Sequence, residues 1–220
     1  MMLEHLRDRI ELLKPFYEKN CLHDIFSWKE LEMLLNFRPS NTQNRFTVYL
    51  KERYEWPDQA WVSDINSFPP SILEKIIKKY LCHIVDSSRV NKKINYISGE
   101  LETITGFPTD AHLYVDLTDQ QNVGFGIHYD YAHNLIVQIE GKSKVRAWGF
   151  KVPDGSKTVV ENLEEEPLFE FVMEPGDIIY VPAYYYHEVK SITKRLSVSF
   201  PSSTLIQKPF QERNWIDLNL

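Results

Sequence analysis

The sequence predicts a mainly β protein, either a β-sandwich or a jelly-roll barrel, preceded by a helical part. After Ala111 the chain alternates short apolar segments with turn residues, which is typical of antiparallel sheets. Before that point the apolar residues recur at three- and four-residue spacing, as on one face of an amphipathic helix. A length of 220 residues, 43% hydrophobic and 25% charged, fits one ordinary globular domain.

Four helices and a lone strand are predicted in the first half of the chain. Ser27, with Glu30 three residues later, forms a capping box in front of the second helix. Gly106 ends the fourth helix, because glycine readily adopts the left-handed conformation at a helix C-terminus. The helices are predicted at Leu3–Asn20, at Trp28–Asn36, from Pro69-Pro70 to Leu81 and at Ile94–Gly106, and the strand at Arg45–Leu50.

The second half is predicted to form about eight strands, which sets the expected domain organisation. We expect one domain over residues 1–220, with a mostly helical part at 1–110, a jelly-roll core at 111–200 and a tail at 201–220. The strands are predicted at Leu113–Leu117, Gly124–Asp130, Asn134–Glu140, Lys142–Gly149, Leu168–Met173, Asp177–Val181, Tyr185–Lys190 and Leu196–Phe200.

Composition excludes several classes of function. Two cysteines are too few for a sulfur-based metal site, so a metal would be held by histidine and carboxylate groups. A net charge of −6 argues against nucleic acid as a partner, which would need a clustered basic face. No apolar run approaches the roughly 20 residues that cross a bilayer, and the charged N-terminus does not look like a signal peptide. We therefore expect a cytoplasmic protein without a membrane partner.

Two histidines and one aspartate of the second half are candidate metal ligands. His128 and Asp130 are two apart on a predicted strand, so their side chains leave the same face. His187 follows 59 residues after His128, on another predicted strand. Two imidazoles and one carboxylate form the facial triad that holds Fe(II) and leaves coordination positions open for a co-substrate and O₂.

Two longer runs carry a resemblance to a known family. Residues 126–144, GIHYDYAHNLIVQIEGKSK, and 174–189, EPGDIIYVPAYYYHEV, resemble the Jumonji C, or cupin-like, family of Fe(II)- and 2-oxoglutarate-dependent oxygenases. The resemblance extends over about 94–200 and looks nearest to the branch of the asparaginyl hydroxylase that inhibits hypoxia-inducible factor. It implies a double-stranded β-helix barrel, with His128, Asp130 and His187 as the iron ligands. It also places Asn134 beside the co-substrate 2-oxoglutarate.

The sequence departs from the family pattern at the co-substrate anchor. Family members usually hold the distal carboxylate of 2-oxoglutarate with a Lys or Arg two residues after the glycine that matches Gly141. They add a Thr shortly before the first histidine. Here these positions are Ser143 and Phe125, so both usual anchors are missing.

Arg195 is the leading replacement for the missing anchor. In Arg195–Phe200 the residues Arg195, Ser197 and Ser199 share one face of the predicted strand, opposite an apolar face. A guanidinium group directed into the barrel would match a carboxylate with two parallel hydrogen bonds. Two alternatives stay open: Lys142 or Lys144 turned inward by a strand bulge, or a structural salt bridge for Arg195.

The remaining candidates surround the predicted ligands. Tyr129, Tyr131 and Tyr185 either line a substrate groove or pack at the barrel mouth. His133 is a candidate for contact with the substrate or with a metal ligand. The other histidines lack recognisable partners in the sequence and are expected to be structural: His5, His23, His83 and His112.

The predicted function is a hydroxylase that couples the oxidative decarboxylation of 2-oxoglutarate to the oxidation of a C–H bond. Fe(II), 2-oxoglutarate and O₂ are the expected cofactor and co-substrates. The substrate is expected to be a peptide, a protein side chain or a small molecule, and the protein a monomer or homodimer. The alternatives are a metal-binding cupin that does not use 2-oxoglutarate and a catalytically silent interaction module.

Overall fold

A computed structural model describes residues 2–37, 45–49, 60–62, 70–85, 87–118, 123–150, 159–160 and 162–203. Its helices are a 3-10 helix at Glu4–Leu6, α1 (Arg7–Glu11), α2 (Trp28–Phe37), α3 (Pro70–Lys79) and α4 (Lys92–Thr105). Its strands are β1 (Phe16–Glu18), β2 (Arg45–Tyr49), β3 (Ala60–Val62), β4 (Leu81–Val85), β5 (His112–Asp116), β6 (Ile127–His128), β7 (Ala132–Glu140), β8 (Ser143–Phe150), β9 (Val159–Val160), β10 (Phe169–Met173), β11 (Ile178–Val181), β12 (Tyr185–Ser191) and β13 (Arg195–Ser203).

The strands form two sheets, which confirms the predicted mainly β fold. The larger sheet has the order β1-β11-β7-β13-β5-β4-β2-β3, and the smaller has the order β10-β8-β12-β6-β9. Among the described residues, no helix is long and apolar enough to span a bilayer. The predicted tail lies outside the described residues from position 204 onward.

Strand β13 lies at the centre of the larger sheet and separates an apolar layer from a polar one. Leu196, Val198 and Phe200 are fully buried in the main core. This core also contains Ile94 and Leu101 of α4, so the helix covers the outer face of the larger sheet. Burying each side chain of this size stabilises the fold by about 1.5–3 kcal/mol. The opposite face of β13 is therefore directed into the barrel, as the alternation predicts.

The space between the two sheets holds a smaller apolar core beside a polar region. The apolar part consists of Ile136, Val145, Ala147, Met173, Ile179 and Val181, with Phe169 and Phe171 packed against it. On β7 the side chains of Asn134 and Gln138 share the inner face with Ile136, because successive strand residues point to opposite faces. The barrel interior is consequently apolar along one side and polar along the other.

Two of the predicted helices are confirmed together with their caps. The backbone N–H of Glu30 donates to Ser27 Oγ at 3.3 Å, and Ser27 Oγ donates to Glu30 Oε2 at 2.9 Å. Helix α4 begins two residues before its predicted start, where the side chain of Asn91 accepts from the backbone N–H of Ile94. It ends at Gly106, which has a φ of 72°.

The predicted helix over Leu3–Asn20 is wrong. Only a 3-10 turn and α1 form, and Phe16–Glu18 instead pairs with β11 at one edge of the larger sheet. Pro15 follows these turns and cannot donate to a helix ladder, and Leu13 already has a φ of 50°. The apolar residues are spaced as in a helix, but the chain leaves the helical conformation at Leu13, before Pro15.

The N-terminal part also contributes more strands than the sequence predicts. Arg45–Tyr49 is a strand but not a lone one, since it pairs with Ala60–Val62 and with Leu81–Val85. Helix α3 is confirmed but ends at Lys79, and the apolar residues after it form β4 in the larger sheet. Of the predicted strand Gly124–Asp130, only Ile127–His128 forms a strand that pairs with its neighbours. Gly126, directly before it, has a φ of 76°, a value outside the range of a strand.

Candidate metal centre

His128, Asp130 and His187 meet in one place, although 59 residues separate the two histidines. His128 on β6 and His187 on β12 are direct cross-strand partners, and their ring centroids lie 4.4 Å apart. Asp130 follows β6, and its Oδ2 lies 3.5 Å from His187 Nε2. One ligand atom from each residue lies within 4.8 Å of the others. This is the only such group of histidine, cysteine or acidic residues in the described part of the chain.

Backbone carbonyl groups fix the orientation of both histidine rings. His128 Nδ1 lies 3.0 Å from the carbonyl oxygen of Gly126, and His187 Nδ1 lies 3.2 Å from that of Tyr185. A carbonyl oxygen can only accept, so each Nδ1 carries the proton and donates it. The unprotonated Nε2 atoms are thereby left to bind a metal, as is usual for metal-binding histidines.

The environment of His187 also favours the neutral imidazole that a metal requires. Burial, together with the nearby imidazole of His128, lowers the pKa of His187 to about 4. Asp130 and the carbonyl group of Tyr185 act in the opposite direction but do not cancel this effect. His187 is therefore neutral at physiological pH and needs to lose no proton on binding a cation.

Asn134 holds the carboxylate of the group in place. Asn134 Nδ2 donates to Asp130 Oδ2 at 2.7 Å, and Asn134 Oδ1 accepts from Ser199 Oγ at 3.1 Å. All three side chains lie inside the barrel, and those of Asn134 and Ser199 are buried. The larger sheet therefore positions Asp130 through a chain of two hydrogen bonds that starts on β13.

Arg195 lies farther along the same barrel interior. Its side chain is 1% exposed, and Nη1 donates to Ser143 Oγ at 3.2 Å. Ser143 Oγ in turn donates to Gln138 Oε1 at 2.9 Å. Arg195 Nε is buried and has no hydrogen-bond partner among the described residues. Burial lowers the pKa of Arg195 to about 10, so the guanidinium group remains charged at neutral pH.

Lys144 does not join this group. It alternates with buried Ser143 and Val145 and lies on the outer face of β8, where its Nζ forms an ion pair with Glu170 at 2.7 Å. Strand β8 keeps a continuous register with β10 from Ser143 to Ala147, so no bulge turns Lys144 inward. Lys142 likewise pairs with Glu174 at the surface.

The tyrosines next to the ligands in the chain form an aromatic cluster with Ile127 and Trp148, on the face of the smaller sheet opposite His128 and His187. Tyr129 is buried, and its ring contacts those of Tyr131 and Tyr184 at centroid distances of 5.6 and 6.1 Å. The backbone N–H of Tyr184 donates to the carbonyl oxygen of Asp130 at 2.9 Å. Tyr185 is half-buried and lies 5.7 Å from the ring of Phe150, which is 52% exposed. Tyr129 is therefore packed in the protein interior, whereas Tyr185 lies next to an exposed aromatic side chain, Phe150.

His133 points away from the metal centre. It is stacked between the rings of Phe107 and Tyr180, at interplanar angles of 7° and 6°. Its Nδ1 accepts from the backbone N–H of Ala183 at 3.3 Å. Because Asn134 faces the barrel interior, the adjacent His133 faces the helical side of the larger sheet.

Sequence reasoning missed a row of polar residues on the inner face of β5. His112, Tyr114 and Asp116 lie opposite Ser199, Ser197 and Arg195 of β13, respectively. The apolar residues between them, Leu113 and Val115, are fully buried in the main core. The alternation in His112–Asp116 is a signal that could have identified this second polar face.

Three of the four histidines expected to lack partners have side-chain contacts that decide their orientation. His112 Nε2 lies 3.3 Å from Asp110 Oδ2, and the ring of His83 stacks on Tyr114 at 4.5 Å. His5 Nε2 lies 3.3 Å from Cys21 Sγ. His83 and His112 also contact each other, with ring centroids 4.8 Å apart, so they extend the polar inner face toward β4.

Residues 84–208, more than half of the chain, match the JmjC domain family. The chain belongs to this family. Its sequence relatives include the bifunctional lysine-specific demethylase and histidyl-hydroxylase NO66 of Caenorhabditis briggsae, 27% identical over 60% of this chain and 19% of that protein. Ribosomal oxygenase 1 of Bos taurus is 30% identical over 50% of this chain and 17% of its own length.

Solved structures share the fold of this JmjC protein. The ribosomal oxygenase YcfD of Escherichia coli, in complex with cobalt and 2-oxoglutarate, superposes with a TM-score of 0.59 at 15% identity, over 90% of this chain and 50% of YcfD. A second complex of YcfD, with cobalt and succinic acid, has a TM-score of 0.56 at 16% identity, over 87% of this chain and 48% of YcfD. These similarities confirm the predicted cupin-type barrel.

The JmjC chain spans only about a fifth of the length of the curated relatives given above. These relatives are ribosomal oxygenases and histidyl-hydroxylases, so they do not support a specific place in the asparaginyl hydroxylase branch.

Proposed function

We propose that this JmjC protein is an Fe(II)- and 2-oxoglutarate-dependent dioxygenase that hydroxylates a C–H bond of a peptide or protein side chain. The observation that carries the proposal is the convergence of His128, Asp130 and His187, whose ligand atoms lie within 4.8 Å of one another. The sequence-based division into a helical part, a jelly-roll core and a tail stays a prediction, as does a cytoplasmic location.

The residues present fit a divalent iron ion. Two imidazoles whose Nδ1 atoms donate to backbone carbonyl groups, together with one carboxylate, are the donor set of the non-haem iron oxygenases. Asn134 restrains the carboxylate, and two carbonyl groups restrain the rings. We therefore assign His128, Asp130 and His187 as the metal ligands and Asn134 as the residue that orients Asp130.

The residues also fit a dicarboxylate beside the metal. Arg195 is a buried cation whose Nε lacks a hydrogen-bond partner among the described residues, and a carboxylate would satisfy it with two charge-assisted hydrogen bonds. Ser197 lies two residues farther along the same inner face, and Ser199 reaches Asn134. We assign Arg195 as the anchor of 2-oxoglutarate, with Asn134, Ser197 and Ser199 as further polar contacts.

Iron, 2-oxoglutarate and O₂ together supply the oxidising power that hydroxylates an unactivated C–H bond and leaves succinate and CO₂. The chain itself contributes geometry and electrostatics. Its inner sheet face fixes the ligands, and Arg195 orients the co-substrate. The aromatic cluster of Tyr129, Tyr131 and Tyr184 packs with Ile127, Trp148 and Tyr186 and so supports the strands β6 and β12 that carry the two histidines.

A protein substrate is the best supported of the substrates predicted from the sequence. The named relatives are ribosomal oxygenases and a histidyl-hydroxylase, and these names describe oxygenases that act on proteins. Tyr131, Tyr184 and Tyr185 are near the ligands in the chain and half-buried, and we propose that their exposed ring surface contacts an incoming side chain. The asparaginyl hydroxylase branch stays a finer prediction, as do the exclusion of nucleic acid and a monomeric or homodimeric state.

The activity is tested by the release of succinate from 2-oxoglutarate in the presence of Fe(II), ascorbate and O₂. The wild-type protein should release succinate, and His128→Ala and Asp130→Ala should abolish the release. His5→Ala is the matched control, because His5 is exposed, contacts Cys21 and is not one of the proposed ligands. A wild-type protein that binds metal but neither binds nor consumes 2-oxoglutarate would instead favour a metal-binding cupin of another class.

A further inference from the structure

Asp116 is a buried carboxylate that lies directly opposite Arg195 on the neighbouring strand. The two residues are register partners on β5 and β13, and each side chain is 1% exposed. Both lie on the polar inner face, since the alternating residues Val115 and Leu196 are buried in the main core. Asp116 is therefore the acidic side chain of β5 that shares the interior with the proposed anchor.

The carboxylate of Asp116 is held by its own loop and not by Arg195. Its Oδ1 accepts from the backbone N–H of Thr118 at 3.0 Å and from Thr118 Oγ1 at 2.7 Å. Its Oδ2 is buried and has no hydrogen-bond partner among the described residues. Since Arg195 donates to Ser143 instead, the two opposite charges face each other without a hydrogen bond in the described structure.

Further unsatisfied polar atoms surround the same place. Ser191 Oγ is buried without a hydrogen-bond partner among the described residues, and Ser191 is the register partner of Ser143. Arg195 Nε, Asp116 Oδ2 and Ser191 Oγ thus belong to residues that are connected through Ser143 and through the pairing of Asp116 with Arg195, and together they form a cluster of unsatisfied atoms. Buried polar atoms are nearly always satisfied in folded proteins, so such a cluster indicates a place where a polar ligand or ordered water binds.

Charge, rather than a direct bond, links Asp116 to Arg195. Burial opposes the positive charge of Arg195, and the negative charge of Asp116 acts in the opposite direction and helps to retain it. A buried cation without such compensation destabilises a protein strongly. In the ligand-free protein, Asp116 supplies the compensation that the distal carboxylate of 2-oxoglutarate supplies in the complex.

We propose that Asp116 balances the buried charge of Arg195 and thereby sets the affinity of the anchor for a dicarboxylate. This inference rests on the proposed function. Because Thr118 holds Oδ1, Asp116 stabilises Arg195 without occupying its donors, which stay available to an incoming carboxylate. The same negative charge repels that carboxylate, so co-substrate binding is weaker than Arg195 alone would make it.

The decisive measurement is the calorimetric titration of 2-oxoglutarate into protein loaded with Co²⁺, without turnover. Asp116→Asn keeps an oxygen acceptor for Thr118 but removes the charge, and Kd should fall at least fivefold. Glu188→Gln is the control, because Glu188 is also buried but lies on the outer face of the barrel, paired with Arg146 and Lys190. Its Kd should stay within twofold of the wild-type value.

The outcomes separate this inference from the proposed function. If the wild type binds 2-oxoglutarate but Asp116→Asn binds with equal or lower affinity, the role of Asp116 is refuted and the proposed function stands. If the wild type does not bind 2-oxoglutarate, the proposed function fails, and the assignment of Asp116 fails with it.

A second readout needs no ligand and covers the case in which Asp116→Asn folds poorly. Melting temperatures of the ligand-free wild type, Asp116→Asn, Arg195→Gln and the double variant form a double-mutant cycle. Asp116→Asn should lower the melting temperature in the wild-type background and leave it nearly unchanged in the Arg195→Gln background. Equal losses in both backgrounds would show that the two charges are independent and would overturn the inference.

Discussion

Arg195 and Ser143 come from opposite sheets of the barrel and meet inside it, with Arg195 Nη1 donating to Ser143 Oγ at 3.2 Å. Ser143 occupies the position at which the family resemblance expects a Lys or Arg. The larger sheet therefore delivers a guanidinium group to the place where family members use a cation from the smaller sheet. The proposed anchor, Arg195, therefore lies on β13, whereas the family resemblance predicts an anchor on β8.

The proposed role of Arg195 predicts that its loss weakens 2-oxoglutarate binding and that a cation at position 143 partly restores it. Arg195→Gln removes the buried cation, and we expect the binding free energy of 2-oxoglutarate to weaken by roughly 2–4 kcal/mol, about 30-fold or more in Kd. The double variant Ser143→Lys with Arg195→Ser returns a cation from the usual strand and should recover part of this affinity. Titration of 2-oxoglutarate into the three proteins measures both effects. Wild-type affinity in Arg195→Gln would exclude Arg195 as the anchor.

Asn134 should affect metal affinity without being a ligand. Asn134→Ala removes the donor that restrains Asp130 Oδ2, and the loss of such an orienting contact typically lowers metal affinity by about 10- to 100-fold. Competitive titration of Co²⁺ with a chelator measures the change. Ser199→Ala is the graded control, because Asn134 then keeps its direct bond to Asp130, so its effect should be smaller. An equal or larger effect of Ser199→Ala would contradict this order.

Asn91 should be an important stabilising residue of the helical part. Its Oδ1 caps α4, and its Nδ2 donates to the carbonyl oxygen of Ile25 and to Glu30 Oε1, both at 2.8 Å. We expect Asn91→Ala to lower the free energy of unfolding by about 1–2 kcal/mol in chemical denaturation. Asn95→Ala, on an exposed site of the same helix, should change it by less than about 0.5 kcal/mol. Similar losses in both variants would argue against a capping role.

Asp110 should make stability depend on pH in the acidic range. Burial alone would raise its pKa, but hydrogen bonds from His112, the backbone of Ala111 and Ser88 bring the pKa down to about 2, from an ordinary value of 3.8. A folded-state pKa below the unfolded value stabilises the protein above about pH 4, by about 2 kcal/mol, and this stabilisation is lost as the pH falls toward 2.

The measurement for Asp110 is urea denaturation of wild type and Asp110→Asn between pH 6 and pH 2.5. The stability difference between the two proteins should be largest at pH 6 and should shrink steadily below pH 4. Asp8→Asn, which alters an exposed carboxylate, should show a small difference at every pH. A constant difference for Asp110→Asn would mean that its charge is not the cause.

The predictions that succeeded depended on short-range patterns within single elements. The alternation in Arg195–Phe200 correctly separated the interior of the barrel from the main core, and the capping box at Ser27 correctly marked the start of α2. The helix over Leu3–Asn20 failed because a strand partner, β11, lies about 160 residues away in the sequence and no local pattern reveals it. His133 stays a predicted site residue that nothing has tested, although it follows Ala132 and precedes Asn134 on β7 and so lies on the opposite face of the sheet from Asn134.

The sequence by itself determined the chemical types of the site, namely two histidines and one aspartate at a strand spacing, and a polar face on β13. Only the tertiary structure decided which of these groups meet. It paired His128 with His187 across two strands, directed Arg195 rather than Lys144 into the barrel, and placed Asp116 opposite Arg195. The physical reason is that side-chain alternation follows from local backbone geometry, whereas strand pairing depends on packing between residues far apart in the chain.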